Sequence, residues 1–375
     1  MAGLRILHTA DVHLGAAFRF LGPRGKEQRE QLKATFSRVV DLALTTQVDM
    51  VVVAGDLFDS PFPPAALAGE VQYQLERLDR EGIWTVIVPG THDRPQPGGV
   101  FGREAFRSLP HVLVFTEREL ASARLEGLDV RVYGSAVSRE GSDVLAGFRA
   151  EGSERWKVGV LHASYLVPGR VERDEMLVSA QSIASSGLHY LALGHWHTRG
   201  EYSQGETVAF YSGPPEPLEM GGGEEGCVLL VELEEDKPPR VKPIAVGKRR
   251  LARLELEGAE VGDPAGLYAH LRRLADRDLG LEVRVRGLRG EGWSGCDWDA
   301  LEEELAPLFF HLALVPVHEE TPPPDPEAYP ESTVLGRFMR IAAREMASRQ
   351  GEDLEVAGEA LRLGLEALGR RSRGA

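Results

Sequence analysis

Five short motifs that carry histidine and aspartate constrain the fold of this 375-residue chain more than any other feature. Each motif follows or ends a short run rich in Val, Ile and Leu, which is typical of a buried strand. The motifs are ADVHLG (10–15), GDLFD (55–59), GTHD (90–93), LHAS (161–164) and GHWH (194–197). Because the carboxyl ends of parallel strands meet at one edge of a sheet, these motifs predict a single site there. Imidazole and carboxylate ligands without sulfur favour a hard divalent metal.

The composition predicts a globular protein of two domains with an appendage. Hydrophobic residues make up 42% of the chain, and the only cysteines are Cys227 and Cys296. Two distant cysteines indicate a reducing cytoplasm and exclude a disulfide framework or a cysteine-based zinc site. The chain shows no signal region and no apolar run near the ~20 residues that span a bilayer. We therefore expect a cytoplasmic protein without a membrane segment.

The order of strand and helix patterns divides the chain into four parts. Residues 1–245 alternate strands and helices, which predicts an α/β sandwich of two sheets flanked by helices. Residues 246–320 repeat a β-α-β-α-β pattern without a catalytic motif, and this indicates a small α/β capping domain. Residues 321–333 form a proline-rich linker, and residues 334–375 form a helical tail.

The tail has two open interpretations. Its apolar residues follow helical spacing and are Val334, Phe338, Ile341, Ala342 and Met346. This face either packs on its own domain or docks on another chain, and the proline linker before it favours docking.

A basic loop beside the first motif predicts contacts with DNA. Arg19, Arg24 and Lys26 alternate there with Phe18 and Phe20, as suits a phosphate backbone with partly unstacked bases. The alternative is a solvated loop whose two phenylalanines pack on the core.

One further cation and the overall charge complete this prediction. Arg94, next to GTHD, is the fourth predicted DNA contact. The net charge of −15 indicates that the isolated chain binds DNA weakly.

The motifs suit hydrolysis of a phosphodiester by two metal ions. Two ions about 3.5–4 Å apart bind the diester oxygens and make hydroxide available near neutral pH. Asp56 is positioned to bridge them, and His92 is positioned to protonate the leaving oxygen as a general acid. Either Asp93 or Asp59 would hold the tautomer of His92.

This set of motifs resembles the calcineurin-like metallophosphoesterases, and among them the double-strand-break repair nucleases of the Mre11/SbcD type with their YhaO-like branch. The resemblance implies a Mn²⁺-dependent phosphodiesterase or exonuclease, an SMC-like ATPase partner of the Rad50/SbcC type, and a homodimer. It also implies two sets of metal ligands. One set is Asp11, His13, Asp56 and His197, and the other is Asp56, Thr91, His162 and His195.

One position departs from the family motif GNHD, because Thr91 stands where the family has asparagine. A threonine hydroxyl is shorter than an amide and is a poorer ligand, so we expect the second ion to bind less well. Two alternatives to a DNA nuclease therefore stay open. They are a small-molecule phosphodiesterase or phosphatase, and a catalytically weak scaffold that binds DNA ends.

Overall fold

The structure is a computed structural model, and it describes most of the chain. The described residues are 3–103, 106, 108–136, 141–169, 171, 176–222, 225–288, 292–293, 295–317, 329–347, 357, 360–361 and 364. Most of the predicted linker 321–333 and most of the tail beyond residue 347 lie outside these ranges.

The described residues form seventeen strands and seven α-helices. The strands are β1 (Leu4–Thr9), β2 (Met50–Ala54), β3 (Trp84–Val88), β4 (Val112–Val114), β5 (Ala121–Leu125), β6 (Val130–Gly134), β7 (Trp156–His162), β8 (Ser164–Tyr165), β9 (Leu177–Val178), β10 (Tyr190–Gly194), β11 (Gly200–Glu201), β12 (Val208–Tyr211), β13 (Cys227–Leu233), β14 (Arg240–Ala245), β15 (Arg250–Glu257), β16 (Asp276–Arg286) and β17 (Phe309–Pro316). The helices are α1 (Gly25–Thr46), α2 (Ala65–Arg80), α3 (Ala180–Ser185), α4 (Gly258–Val261), α5 (Pro264–Arg273), α6 (Trp298–Leu305) and α7 (Val334–Ala347). Short 3₁₀ helices cover Arg19–Arg24, Val100–Gly102 and Ala306–Leu308.

Two six-stranded sheets carry the motifs. The first sheet has the order β14-β13-β1-β2-β3-β4, and its strands β1 to β4 are parallel. The second sheet has the order β11-β12-β10-β7-β6-β5, with a parallel centre from β6 to β12 and antiparallel edge strands. The carboxyl ends of β1, β2 and β3 are therefore neighbours, and so are those of β7 and β10.

One buried core lies between the two sheets. Ile6 and Val52 of the first sheet and Val158 and Ala192 of the second belong to one buried apolar cluster. The central strand β2 is buried along its whole length, as expected of a parallel strand covered on both faces. This arrangement confirms the predicted α/β class with two large sheets.

Helices cover the outer faces of both sheets. Phe36 of α1 and Leu75 of α2 share a buried cluster with Val53 of the first sheet. Ile183 of α3 shares another cluster with Leu193 of the second sheet. None of the described helices has the length and apolar character needed to cross a bilayer.

The region after β14 has the predicted alternation of strands and helices. Strands β15, β16 and β17 form a three-stranded sheet in that order. Helix α5 ends at Arg273, and β16 begins three residues later at Asp276.

The chain divides into two compact units. The first comprises residues 1–254, 267–283 and 297–314, and the second comprises residues 255–266, 284–296 and 315–375. The predicted boundary at residue 245 does not separate these units, because most of the three-stranded sheet belongs to the first. The division into four functional parts stays a prediction.

Within the second unit, the residues of the apolar face of α7 differ in their exposure. Met339 is fully buried, whereas Val334 and Ile341 of the predicted face are 72% and 62% exposed. The ring of Phe338 lies against Gly364, so part of the predicted face packs within the tail itself.

Candidate metal centre

The two sheets place the five motifs together at their carboxyl ends. Asp11 and Asp56 follow β1 and β2, and His92 follows β3 in the same sheet. His162 ends β7, and His195 follows the neighbouring strand β10. The strands thus deliver groups from both sheets to one site.

Four site residues have backbone torsions in the left-handed region. The φ angles are 52° at Asp11, 48° at His13, 50° at Asp56 and 100° at His195. These are four of the seven non-glycine residues with positive φ in the described part of the chain. Such conformations cost on the order of 1–3 kcal/mol each, so they persist where packing determines them. Packing around the site therefore imposes the backbone conformation of these four residues.

Two motif glycines allow the strand ends to approach closely. A Cβ atom at Gly90 would lie 2.3 Å from Asp56 Oδ1, and one at Gly194 would lie 1.8 Å from the Ala54 carbonyl oxygen. Any side chain at either position would displace the loop that carries Asp56 or separate β10 from β2.

Asp56 lies at the centre of the ligand groups. Its Oδ2 atom is 3.5 Å from His13 Nε2 and 3.3 Å from His162 Nε2. Three overlapping groups could each hold an ion, since their ligand atoms lie within 4.8 Å of one another. These groups are Asp11, His13 and His197; His13, Asp56 and His92; and Asp11, Asp56 and His162.

His195 and Thr91 adjoin the same centre. His195 Nδ1 lies 3.3 Å from His162 Nε2, and the His195 backbone N–H donates to Asp11 Oδ1 over 3.0 Å. The Thr91 hydroxyl donates to Asp56 Oδ2 over 3.4 Å, so it is engaged with a carboxylate. The structure therefore brings all seven predicted ligands together.

The donor set fits divalent metal ions. His13 Nε2 is buried and has no hydrogen-bond partner among the described residues, although it points to the carboxylate of Asp56. His162 donates through Nδ1 to the Ala54 carbonyl over 3.1 Å, which leaves Nε2 directed at Asp56. A backbone partner of this kind sets the tautomer that metal-binding histidines use.

The electrostatics of the site show buried charge that needs compensation. Burial raises the pKa of Asp11 to about 7. Burial would lower the pKa of His162, but the charges of Asp56 and Asp11 outweigh it and raise that pKa to about 9. Burial, together with the charge of His13, lowers the pKa of His197 to about 4. A protonated His162 thus compensates the carboxylates, and a divalent cation would take the place of such protons.

The structure distinguishes Asp59 from Asp93, the two carboxylates that the sequence left open as partners of His92. Asp59 Oδ1 lies 3.5 Å from His92 Nδ1 and 3.0 Å from His13 Nδ1. Asp93 is fully buried and accepts the backbone N–H groups of Phe58 (3.0 Å) and Gly90 (2.7 Å). Asp59 is therefore the carboxylate that faces the His92 ring, and Asp93 holds the loop.

The predicted DNA contacts are exposed but lie in different local settings. Arg19, Arg24, Lys26 and Arg94 all reach solvent. Arg24 pairs with Glu27 over 2.9 Å, and Arg94 Nε donates to the Thr91 carbonyl over 3.0 Å. Phe18 is buried while Phe20 is 45% exposed, so one of the two phenylalanines packs on the core, and the DNA contacts stay a prediction.

One residue near the site was not predicted from the sequence. Glu219 Oε1 lies 3.9 Å from His197 Nδ1, on a loop between β12 and β13. No strand-end pattern precedes it, so nothing in the sequence distinguishes it from other acidic residues.

Comparison with known proteins supports the pattern of motifs. A family model described as calcineurin-like phosphoesterase matches residues 4–199, which include all five motifs. The chain is 28% identical to the DNA double-strand break repair protein Mre11 of Aeropyrum pernix, over 77% of this chain and 70% of that protein.

Two Bacillus subtilis proteins are also similar. The D component of the nuclease SbcCD is 27% identical over 63% of this chain and 67% of its own length. The uncharacterized metallophosphoesterase YhaO is 26% identical over 57% of this chain and 53% of its own length. The chain thus matches from about half to about two thirds of these two relatives.

Proposed function

The chain belongs to the calcineurin-like phosphoesterase family, and on this premise we propose that it is a metal-dependent nuclease that hydrolyses phosphodiester bonds of DNA. The observation that carries the proposal is the convergence of imidazole and carboxylate groups from both sheets on Asp56. DNA is favoured as the substrate because two relatives are named as a DNA double-strand break repair protein and as a nuclease component.

The ligand groups support a binuclear centre that shares Asp56. The proposed ligands of one ion are Asp11, His13, Asp56 and His197, and those of the other are Asp56, Thr91, His162 and His195. When bound, two such ions would supply positive charge for the diester oxygens and hydroxide near neutral pH. Mn²⁺ is the proposed ion, as the resemblance implies.

His92 is the proposed general acid. Its side chain is half exposed beside the ligand groups, and its Nδ1 lies 3.5 Å from Asp59 Oδ1. Asp59 would orient the ring so that Nε2 carries the proton to the leaving oxygen. The His92 backbone N–H donates to Asp56 Oδ1 over 2.8 Å, which places the residue independently of its ring.

Hydrolysis assays on three substrates test the proposal. The purified chain is incubated with linear duplex DNA, single-stranded DNA and bis(p-nitrophenyl) phosphate, each with Mn²⁺, Mg²⁺ or a chelator. We expect DNA cleavage with Mn²⁺, none with chelator, and none by Asp56→Asn. Asp41→Asn is the matched control, because Asp41 is an exposed carboxylate that pairs with Arg77 away from the motifs.

The other outcomes identify the two alternatives. Hydrolysis of the small ester without DNA cleavage would establish a small-molecule phosphodiesterase. Binding of DNA ends without hydrolysis of any substrate would establish a scaffold protein.

The proposed setting is a cytoplasmic homodimer that works with an SMC-like ATPase of the Rad50/SbcC type in double-strand-break repair. A reducing compartment agrees with Cys227 and Cys296, which are not joined by a disulfide. An ATPase partner would also supply the basic surface that a chain with a net charge of −15 lacks.

A further inference from the structure

A second charged site lies outside the metal centre, within the first compact unit. It is a groove of about 320 Å³ between the first turn of α1 and the three-stranded sheet. We call it the basic groove and define it by its charged lining residues, which are Arg24, Glu27, Lys248, Arg249, Arg277 and Asp278.

The basic groove has more positive than negative charge. Glu27 is shared by Arg24 at 2.9 Å and Arg249 at 2.6 Å. Asp278 lies 3.3 Å from Lys248 Nζ and 3.9 Å from Arg249 Nη1. The two carboxylates thus leave an excess of two positive charges, in a chain whose net charge is −15. This local reversal of sign indicates an anionic ligand.

Arg277 is the cation of the basic groove that is available to pair with a ligand. It is exposed at the groove, and none of the residues that the structure describes forms an ion pair with it. A guanidinium group carries several donors in a planar fork that matches phosphate oxygens.

Arg249 is a buried residue of the basic groove that is held in place by its contacts. Only 4% of it is exposed, and its guanidinium lies 3.4 Å from the centroid of the Phe310 ring. Its backbone N–H donates to the buried Glu216 over 2.7 Å, and its Nε has no hydrogen-bond partner among the described residues. A cation that is already immobilised loses little conformational entropy when an anion binds beside it.

The first turn of α1 adds to the positive potential. This helix has 22 residues, and no side chain caps its N-terminus, where Arg24 is the flanking residue. The backbone N–H of Gly25 already donates to the Gly22 carbonyl, so it is the helix dipole that favours an anion at this end.

We propose that the basic groove binds a phosphate group of the DNA strand whose other part occupies the metal centre. The inference rests on the proposed function, because it takes the substrate to be DNA. The groove would hold the strand and leave the chemistry to the residues around Asp56.

The test measures DNA binding as a function of salt, with chelator present so that no cleavage occurs. The variants are Lys248→Ala with Arg277→Ala, and Arg277→Glu, at exposed positions whose loss leaves Arg249 and Phe310 in place. The matched control is Arg80→Ala, which removes an exposed arginine from a different groove of about 380 Å³.

The expected result is a change in salt dependence. Each lost phosphate contact should reduce the slope of log affinity against log salt by about one, between about 50 and 200 mM salt. Arg80→Ala should keep the original slope, and hydrolysis of bis(p-nitrophenyl) phosphate with Mn²⁺ should be unchanged in all variants. Unaltered circular dichroism spectra would show that the variants fold.

Several outcomes would overturn the inference about the basic groove and leave the proposed function intact. Cleavage of DNA by the unaltered chain, together with variants that bind DNA with its original slope, would overturn the inference alone. Equal loss in Arg80→Ala would show a general charge effect and overturn it as well. Variants that lose calorimetric binding of inorganic phosphate but keep DNA binding would assign the groove to free phosphate. Failure of the unaltered chain to bind or cleave DNA would instead overturn the proposed function.

Discussion

The role of His92 distinguishes proton transfer from metal binding at the site. It is the proposed acid, yet it also belongs to a group with His13 and Asp56 that could hold an ion. We expect His92→Ala to retain metal and to lose about 10²- to 10⁴-fold in the rate of DNA cleavage, as is typical for a positioned acid. Metal content by mass spectrometry and single-turnover cleavage rates check this.

The matched control is His111→Ala, because His111 forms a similar pair with Asp79 at 2.9 Å outside the site. It should change neither metal content nor rate. Loss of an ion together with activity in His92→Ala would make His92 a ligand and contradict the acid role.

The second prediction at the residue scale concerns Thr91. Its hydroxyl lies 3.4 Å from Asp56 and offers a shorter donor than the asparagine of the family motif. We expect one Mn²⁺ to bind more weakly than the other, and Thr91→Asn to strengthen the weaker ion roughly tenfold, as changes around metal ligands typically do. Calorimetric titration with Mn²⁺ measures both affinities, and Thr91→Ala is the control that removes the oxygen. Two equal affinities in the unaltered chain would contradict the prediction.

At the residue scale, the sequence predicted which side chains meet but not how the backbone presents them. The carboxyl ends of neighbouring parallel strands meet at one edge of a sheet, so the motifs predicted that these His and Asp side chains lie together. Which of them bind each ion was implied by the family resemblance and stays a prediction. Asp59 and Asp93 could not be told apart, because they lie three residues after Asp56 and two residues after Thr91, and the sequence does not show which side chain faces His92. The left-handed torsions at Asp11, His13 and Asp56 were also hidden, since tertiary packing imposes them.

At the scale of elements, one buried pair links the two sheets behind the site. His8 of β1 is fully buried, and its Nδ1 lies 2.9 Å from the hydroxyl of Tyr190 in β10. Burial lowers the pKa of His8 to about 3. The same two strands lead to Asp11 and His195, so this pair lies directly behind the proposed ligands.

The low pKa of His8 predicts loss of stability in mild acid. The unfolded chain takes up a proton below pH 6.5, whereas the folded chain stays neutral at His8 down to about pH 3. The free energy of unfolding should therefore fall as the pH falls, by about 2 kcal/mol from this group between pH 7.5 and pH 5. Urea unfolding at both pH values, with chelator present, measures the loss.

The comparison with His8→Gln isolates this contribution. We expect the variant to be less stable at pH 7.5 but to lose about 2 kcal/mol less on acidification, because glutamine does not titrate. Tyr190→Phe should keep the full pH dependence, since it removes the hydroxyl and leaves His8 in place. An equal loss in His8→Gln and in the unaltered chain would contradict the account.

Strands were easier to predict than their pairing. Continuous apolar runs such as MVVVA mark buried strands, and β2 is buried throughout. The antiparallel insertion of β13 beside β1 joins residues more than 200 positions apart, as in the pairing of Leu4 with Leu233. No local pattern encodes such a contact. The sequence also left open whether the apolar face of α7 is buried, because periodicity alone does not show that Met339 is buried and Val334 exposed.

At the scale of the whole molecule, the charge balance and the tail bear on the proposed ATPase partner. A chain with a net charge of −15 has a limited basic surface for DNA, even with the basic groove. On α7, Val334 and Ile341 are seven positions apart, so they share a helix face, and both are exposed. Exposed apolar residues on one face suit docking on a second chain.

The last prediction concerns this exposed face. We expect Val334→Glu with Ile341→Glu to abolish co-purification with an SMC-like ATPase from the same organism, because burying two carboxylates in an apolar interface is unfavourable. Hydrolysis of bis(p-nitrophenyl) phosphate should be unchanged, since the metal centre lies in the first unit. Leu274→Glu, at an exposed apolar position of that unit, is the matched control and should keep the association. Full association of the double variant would contradict docking through α7. A double variant that unfolds, as judged by circular dichroism and thermal melting, would show instead that this face is needed within the chain itself.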